Sequence, residues 1–181
     1  MGPISLLTDF GLRDPFVGEL KGELLRAGAG IAVDLTHGIE SGNVREAAWV
    51  LLKSWHRFPA GTCHLAVVDP GVGTTRRAIA AEAGGHRFVG PDNGILAAAL
   101  DAAGGAVVHE IAGRPGPDAR RGTTFDGRDL FAPAAVRLAA GAALAELGRR
   151  VEGIARLAPF GPVPDADRWR AEVIRVDRFG N

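Results

Sequence analysis

A chain of 181 residues is long enough for one ordinary domain, and its 21 basic side chains are matched by 21 acidic ones. Zero net charge argues against nucleic-acid or anionic-membrane partners, which need a basic surface, and the single cysteine, Cys63, excludes an internal disulfide and suits a reducing, cytoplasmic compartment. No basic-then-apolar leader opens the sequence, and the apolar stretch 132–147 is interrupted by Arg137 and Glu146 and is too short to span a bilayer.

The elements alternate strand and helix, which predicts an α/β fold with a mostly parallel sheet flanked by helices. Ile4 to Thr8 reads as the first strand. Asp14-Pro15 reads as an N-cap followed by proline at the first helical position, and Val17, Leu20, Leu24 and Leu25 give that helix its apolar face. Ile31 to Thr36 is the second strand. Asn43 and Glu46 have capping-box spacing ahead of a helix that buries Val44, Ala47, Ala48, Leu51, Leu52 and Trp55. An apolar third strand ends at Asp69, and short strands are expected at Ala78 to Ala83 and at Phe88-Val89. A helix over 93–103, a strand over 106–111, a glycine- and proline-rich loop over 113–124, a long helix from about Arg128 to Ala140 and a shorter one near 143–148 complete the pattern. Residues 159–170, rich in proline, read as a linker, and 171–177 as a further strand. A strand with no following partner reads as truncation.

Three places bring chemistry to strand or helix ends, where ligands bind in open α/β sheets. Asp9 follows the first strand; its carboxylate can accept two hydrogen bonds from a vicinal diol or can close a turn on its own backbone. Asp69 and Arg76 flank the turn Pro70-Gly71-Val72-Gly73. They can position a water as an ion pair or act as a structural salt bridge, and the glycine turn can alternatively cradle an anion with its N–H groups. It is not a Walker loop, because that motif's lysine and spacing are missing. Asp126, three residues before Asp129, stands where a helix opens, and its plainest role is an N-cap. Histidines 37, 56, 64, 86 and 109 lack metal-ligand spacing, so no metal is expected; His37, at a strand end, is most simply structural. Arg114, Arg120 and Arg121 form a local basic patch that reads as a solvated loop.

Taken together, several segments resemble the S-adenosylmethionine (SAM) hydroxide adenosyltransferase family, relatives of the SAM-dependent fluorinase and chlorinase. They are Thr8-Asp9-Phe10-Gly11 with Asp14, Val17-Gly18 and Lys21-Gly22; Asp34-Leu35-Thr36-His37; Val67 to Arg77; Gly90-Pro91-Asp92-Asn93-Gly94; Thr124-Phe125-Asp126-Gly127-Arg128-Asp129 with Phe131-Ala132-Pro133; and Asp177-Arg178-Phe179-Gly180-Asn181. The resemblance implies an N-terminal α/β domain (1–158), a linker (159–170) and the first strand of a truncated C-terminal β-barrel (171–181). It implies a homotrimer when the barrel is present, with SAM held between one subunit's first domain and its neighbour's barrel. The implied reaction is hydroxide attack on the ribose C5′ of SAM, giving adenosine and methionine, with SAM as substrate and no cofactor.

The family's catalytic set is Asp, Arg and His. Asp69 and Arg76 match the first two, and Asp126 occupies the histidine's position. The resemblance further implies that Asp9 holds the ribose hydroxyls, that Phe179 and Asn181 contact adenine, that Asp177 lies near the methionine end, and that Asp14, Thr124 and Phe125 belong to the substrate site. Two alternatives remain: a SAM- or adenosine-binding protein impaired in catalysis, on account of Asp126, and a SAM-dependent halogenase. The latter is disfavoured by a carboxylate at position 69, which would repel an incoming halide.

Overall fold

The computed structural model describes residues 1–113 and 125–181. Strands β1 (Ile4–Thr8), β2 (Ala32–Thr36), β3 (Cys63–Val67), β4 (Ala78–Ala83), β5 (His86–Pro91) and β6 (Val107–Glu110) form one sheet in the order β2-β1-β3-β5-β4-β6. β1 pairs parallel with β2 and β3, and β3 with β5, while β4 runs antiparallel to both β5 and β6. Five strands therefore share one direction and β4 alone is reversed.

Alternate residues of the strands feed two cores. Leu6, Leu65 and Val89 face helices α1 (Phe16–Arg26) and α4 (Ala132–Ala139), while Leu7, Ala66 and Phe88 face α2 (Val44–Ser54) and α3 (Ala97–Ala102). With both faces covered, the central strands are apolar throughout: β1 and β3 are buried at every position. Cys63 sits in this core, where burial pushes its thiol pKa up to about 12 and leaves it inert. Between β5 and β3 the backbones approach so closely that a Cβ on Gly90 would lie 2.4 Å from the Ala66 carbonyl oxygen.

Several expectations are corrected. Helix α1 begins at Phe16, and Asp14 makes no side-chain cap; Pro15, which has no N–H to offer, stands at the boundary. Leu25 is exposed, and the buried stripe of α1 is Val17, Leu20 and Leu24, which faces α4 and the turn before it. Half of the capping box forms: Asn43 Oδ1 accepts from the Glu46 N–H at 3.0 Å, but the Asn43 N–H donates to the Glu40 carbonyl. The helix expected from 93 forms only over Ala97–Ala102, since Asn93 is drawn aside to bond the Val68 carbonyl at 2.8 Å.

The helix expected over 128–140 is divided. A π-helical turn, Gly127–Phe131, precedes α4, with the Ala132 N–H donating to the Gly127 carbonyl five residues back. Pro133 has no N–H for the carbonyl of Asp129, which loosens the ladder at that point. The short helix near 143–148 is a single 3₁₀ turn, Leu144–Glu146. Within the expected linker, β7 (Val163–Asp165) and β8 (Arg168–Arg170) form a small antiparallel hairpin. Residues 171–177 form no strand, because no described segment pairs with them and an unpaired strand has no ladder. No helix among the described residues is long and apolar enough to cross a membrane.

Candidate active site

The strand order reverses between β1 and β3: the crossover through α1 leads to β2 on one side of β1, and the next leads across to β3 on the other. Such a switch point leaves a crevice beyond the carboxyl ends of the two strands. A cavity of about 510 Å³ lies there, lined among others by Asp9, Phe10, Val67 and Asp69.

Asp69 lies two residues past β3, and its side chain is only 5% exposed. The loop that follows folds back so that Arg76 Nε donates to Asp69 Oδ2 at 2.8 Å, with a second, shorter bond from Nη2 to the same oxygen. Arg76 Nη2 also donates to Asp126 Oδ2 at 2.6 Å, from the residue that opens the π-turn. The guanidinium stands 5.2 Å from the centroid of the buried Phe131 ring. Burial works against its charge, but the hydrogen bonds of Asp69 and then Asp126 outweigh this and hold Arg76 above its ordinary range. One cation thus bridges two carboxylates, and the three groups together carry one net negative charge.

Asp69 Oδ1 is buried and takes no hydrogen bond among the described residues. A buried carboxylate oxygen without a partner is costly to hold, and Asp69 is one of the residues that line the cavity.

This geometry places each candidate that the sequence singled out. Asp126 makes no side-chain cap bond; it turns instead to Arg76. Of the three N–H groups in the glycine turn, that of Val72 closes on the Asp69 carbonyl, and the Thr74 N–H that follows closes on the Gly71 carbonyl. Asp9 is not a turn aspartate bonded to its own backbone. Its Oδ2 accepts the N–H of Gly42, 33 residues away, at 2.8 Å, and Gly42 aims that N–H from a left-handed conformation (φ +75°) that favours glycine. Beneath Asp9, Thr8 Oγ1 meets His37 Nδ1 at 2.7 Å, and the His37 carbonyl accepts the Gly11 N–H, so His37 is structural. His37 Nε2 lies 3.1 Å from Asp34 Oδ1 at an angle that forms no proper hydrogen bond.

The remaining candidates divide. Phe125 lines the cavity. Thr124 lies outside the described residues, as do Arg114, Arg120 and Arg121. Asp14 is exposed and does not line the cavity. Asp177, Phe179 and Asn181 are also kept from it: Asp177 Oδ1 accepts the N–H groups of Phe179 and Asn181, both at 2.9 Å, in an exposed terminal turn. The backbone and side-chain bonds from Asn181 hold the Asp177 carboxyl below its usual range. Among the described residues no group of three or more His, Cys, Asp or Glu is placed to hold a metal ion.

The structure adds residues that sequence reasoning missed. Phe10 and Phe16 form an aromatic wall with Phe125, with ring centroids 6.5 Å (Phe10–Phe16) and 6.0 Å (Phe16–Phe125) apart. A Cβ on Gly127 would come within 3.0 Å of the Phe10 ring, so glycine there lets the π-turn close on the wall. The available signal was Phe16, a large apolar residue at a helix start that belongs to no core stripe. Asp92 also went unassigned: it accepts from Arg77 Nε at 2.8 Å and from the Ala155 N–H at 2.7 Å, anchoring the far end of the Asp69–Arg76 loop.

Comparison with known proteins gives consistent relatives. The profile of the SAM hydroxide adenosyltransferase N-terminal domain matches residues 4–148. The chain is 47% identical to a Salinispora arenicola protein named (R)-S-adenosyl-L-methionine hydrolase, over 98% of this chain and 69% of that one. It is 44% identical to a Thermus thermophilus protein of the same name, over 100% of this chain and 73% of that one. A crystal structure of an uncharacterized conserved protein from Thermotoga maritima superposes with a TM-score of 0.87 at 38% identity, covering 98% of this chain and 68% of that one.

Proposed function

The chain belongs to the SAM hydroxide adenosyltransferase family, and from this we propose that it hydrolyses S-adenosyl-L-methionine to adenosine and L-methionine at the cavity between β1 and β3. The observation that carries the reading is Asp69, a residue of the cavity lining whose Oδ1 is buried and takes no hydrogen bond among the described residues while its sister oxygen is fixed by Arg76. In the reaction a water attacks C5′ of the ribose. The new C5′–O bond forms as the C5′–S bond breaks, the sulfur leaves as the neutral thioether of methionine, and the water proton passes to Asp69 and on to solvent. A neutral leaving group needs no general acid, and the reaction as written calls on no cofactor. Attack by an anionic oxygen on a sulfonium disperses charge, which a largely apolar site favours. What the chain must supply is alignment and a proton acceptor, which is the combination Asp69 and Arg76 offer.

Asp9, with Oδ2 on Gly42, keeps Oδ1 for the ribose diol, and the Phe10–Phe16–Phe125 wall takes apolar surface of the substrate. The reading extends to a cytoplasmic homotrimer, with 1–158 as the SAM-binding domain and 171–181 leading into a barrel. Its support is the exposure of Asp177, Phe179 and Asn181 away from this chain's own cavity, as expected of groups that serve a neighbour's site.

Incubation of the chain with SAM, followed by chromatography, should yield adenosine and methionine in equal amounts. Asp69→Asn should retain adenosine binding within a few-fold and lose about 100- to 10,000-fold in turnover, the usual loss with a general base. Turnover by this variant close to that of the unmodified chain would remove Asp69 from the reaction.

A further inference from the structure

A second guanidinium on the π-turn has no part in the chemistry above. Arg128 donates from Nε to Asp129 Oδ1 at 2.6 Å, from Nη2 to Asp129 Oδ2 at 3.1 Å and from Nη1 to Glu19 Oε2, on the first turn of α1, at 2.7 Å. Those bonds fix the guanidinium at its nitrogens, and its central carbon lies over the Phe125 ring, 4.8 Å from the centroid. Phe125 in turn meets Phe16, the first residue of α1. Phe16, Glu19, Phe125 and Arg128 all line the cavity. As a source of stability these ion pairs count for little, since the Arg128 and Glu19 side chains are 28% and 44% exposed. As an orienting device they are over-determined: three directed bonds to two elements fix one plane, and that plane covers one face of a ring that is otherwise 42% exposed.

We propose that Arg128 is a positioning residue: anchored to Asp129 and Glu19, it holds the Phe125 ring against Phe16, so that the aromatic wall keeps a fixed spacing for the apolar surface of the adenosyl substrate. The choice of ligand rests on the hydrolase reading; the hold on Phe125 does not.

The test therefore has two arms, both on the 181-residue chain. In the first, the eight phenylalanines are replaced biosynthetically by 4-fluorophenylalanine, and the Phe125 fluorine resonance is assigned with Phe125→Leu. Arg128→Ala and Arg128→Lys should both move that resonance towards the position of the free amino acid, because lysine can keep the ion pair but has no plane to stack. Lysine also covers the case in which alanine prevents folding. In the second arm, KM and kcat for SAM are measured for the unmodified chain, Arg128→Ala, Phe125→Ala and the double variant. Arg128→Ala should raise KM roughly 3- to 30-fold, the affinity equivalent of one cation–π contact, with kcat within about threefold. The double variant should be no weaker than Phe125→Ala alone. An unmoved fluorine resonance, or losses that simply add, overturns the proposal. If the unmodified chain neither binds nor turns over SAM, the hydrolase reading fails, and the fluorine arm still decides whether Arg128 holds the ring.

Discussion

Asp126 is the residue that sets the proposed site apart, because it shares Arg76 with Asp69. The resemblance implies a histidine at this position, and here a second carboxylate shares Arg76 Nη2 with Asp69. The cluster keeps one net negative charge, which opposes a hydroxide-like nucleophile forming beside Asp69 Oδ1. Asp126→His would leave Arg76 and Asp69 as a neutral pair and retain a hydrogen-bonding group at the same place. The loss includes a charge-assisted bond to Arg76, of order 1.5–3 kcal/mol, rather than a side-chain helix cap. The expected result is a higher kcat for SAM with a lower melting temperature, read by product chromatography and calorimetry on the same preparation. Slower turnover in the histidine variant would mean that the second carboxylate takes part in the reaction.

At the scale of elements, two glycines with opposite roles test how the sheet holds the site. Gly90, on β5, sits against the Ala66 carbonyl of β3, the strand that carries Asp69 at its end, and no backbone can yield where a Cβ would lie 2.4 Å away. Gly90→Ala should therefore cost about 1–3 kcal/mol, as overpacking does, and should loosen the site by parting β3 from β5. Gly18, on the exposed face of α1, has open space around its missing Cβ. Gly18→Ala should stabilise by roughly 0.4–1 kcal/mol through the unfolded chain and helix propensity. Urea unfolding of both variants checks the pair; equal effects would mean that the β3–β5 approach is not tight.

For the whole molecule, a buried histidine pair contributes to the response to acid. Ser5 Oγ meets His64 Nδ1 at 2.7 Å and His64 Nε2 meets His86 Nδ1 at 3.1 Å, under the α2 face of the sheet. Burial, and then the neighbouring His86, pulls the His64 pKa from 6.5 down to about 3, and burial lowers His86 as well. The unfolded chain binds protons that the folded one refuses, so stability is full above pH 6.5 and falls as the pH drops from there towards 3. At pH 5 His64 alone should cost about 2 kcal/mol relative to neutral pH. Denaturant unfolding at pH 7 and pH 5 measures this directly. His64→Leu should flatten the slope even if its absolute stability is lower, and an unchanged slope would place the proton uptake elsewhere.

Local chemistry was enough to place much of this protein from its sequence. Ile4–Thr8 and Ala78–Ala83 read correctly because an apolar run of five or six residues bounded by turn residues is the length of a buried strand and too short for most helices, and Asn43 capped its helix because that bond spans three residues. Asp9 and Asp69 stood out as strand-end carboxylates for the same reason: a charged group after a buried strand must leave the sheet where ligands approach. Tertiary structure alone decided the rest. Asp126 read as a cap until Arg76, 50 residues earlier in the chain, proved to be its partner. Phe10 and Phe16 became a wall only when the π-turn closed over them, and residues 171–177 had a strand's pattern but no partner among the described residues to make it one. Periodicity and capping act over a turn or two of chain. Strand order, shared guanidinium contacts and cavity walls depend on which distant segments pack together, and that is settled by burying two apolar faces of one sheet at once.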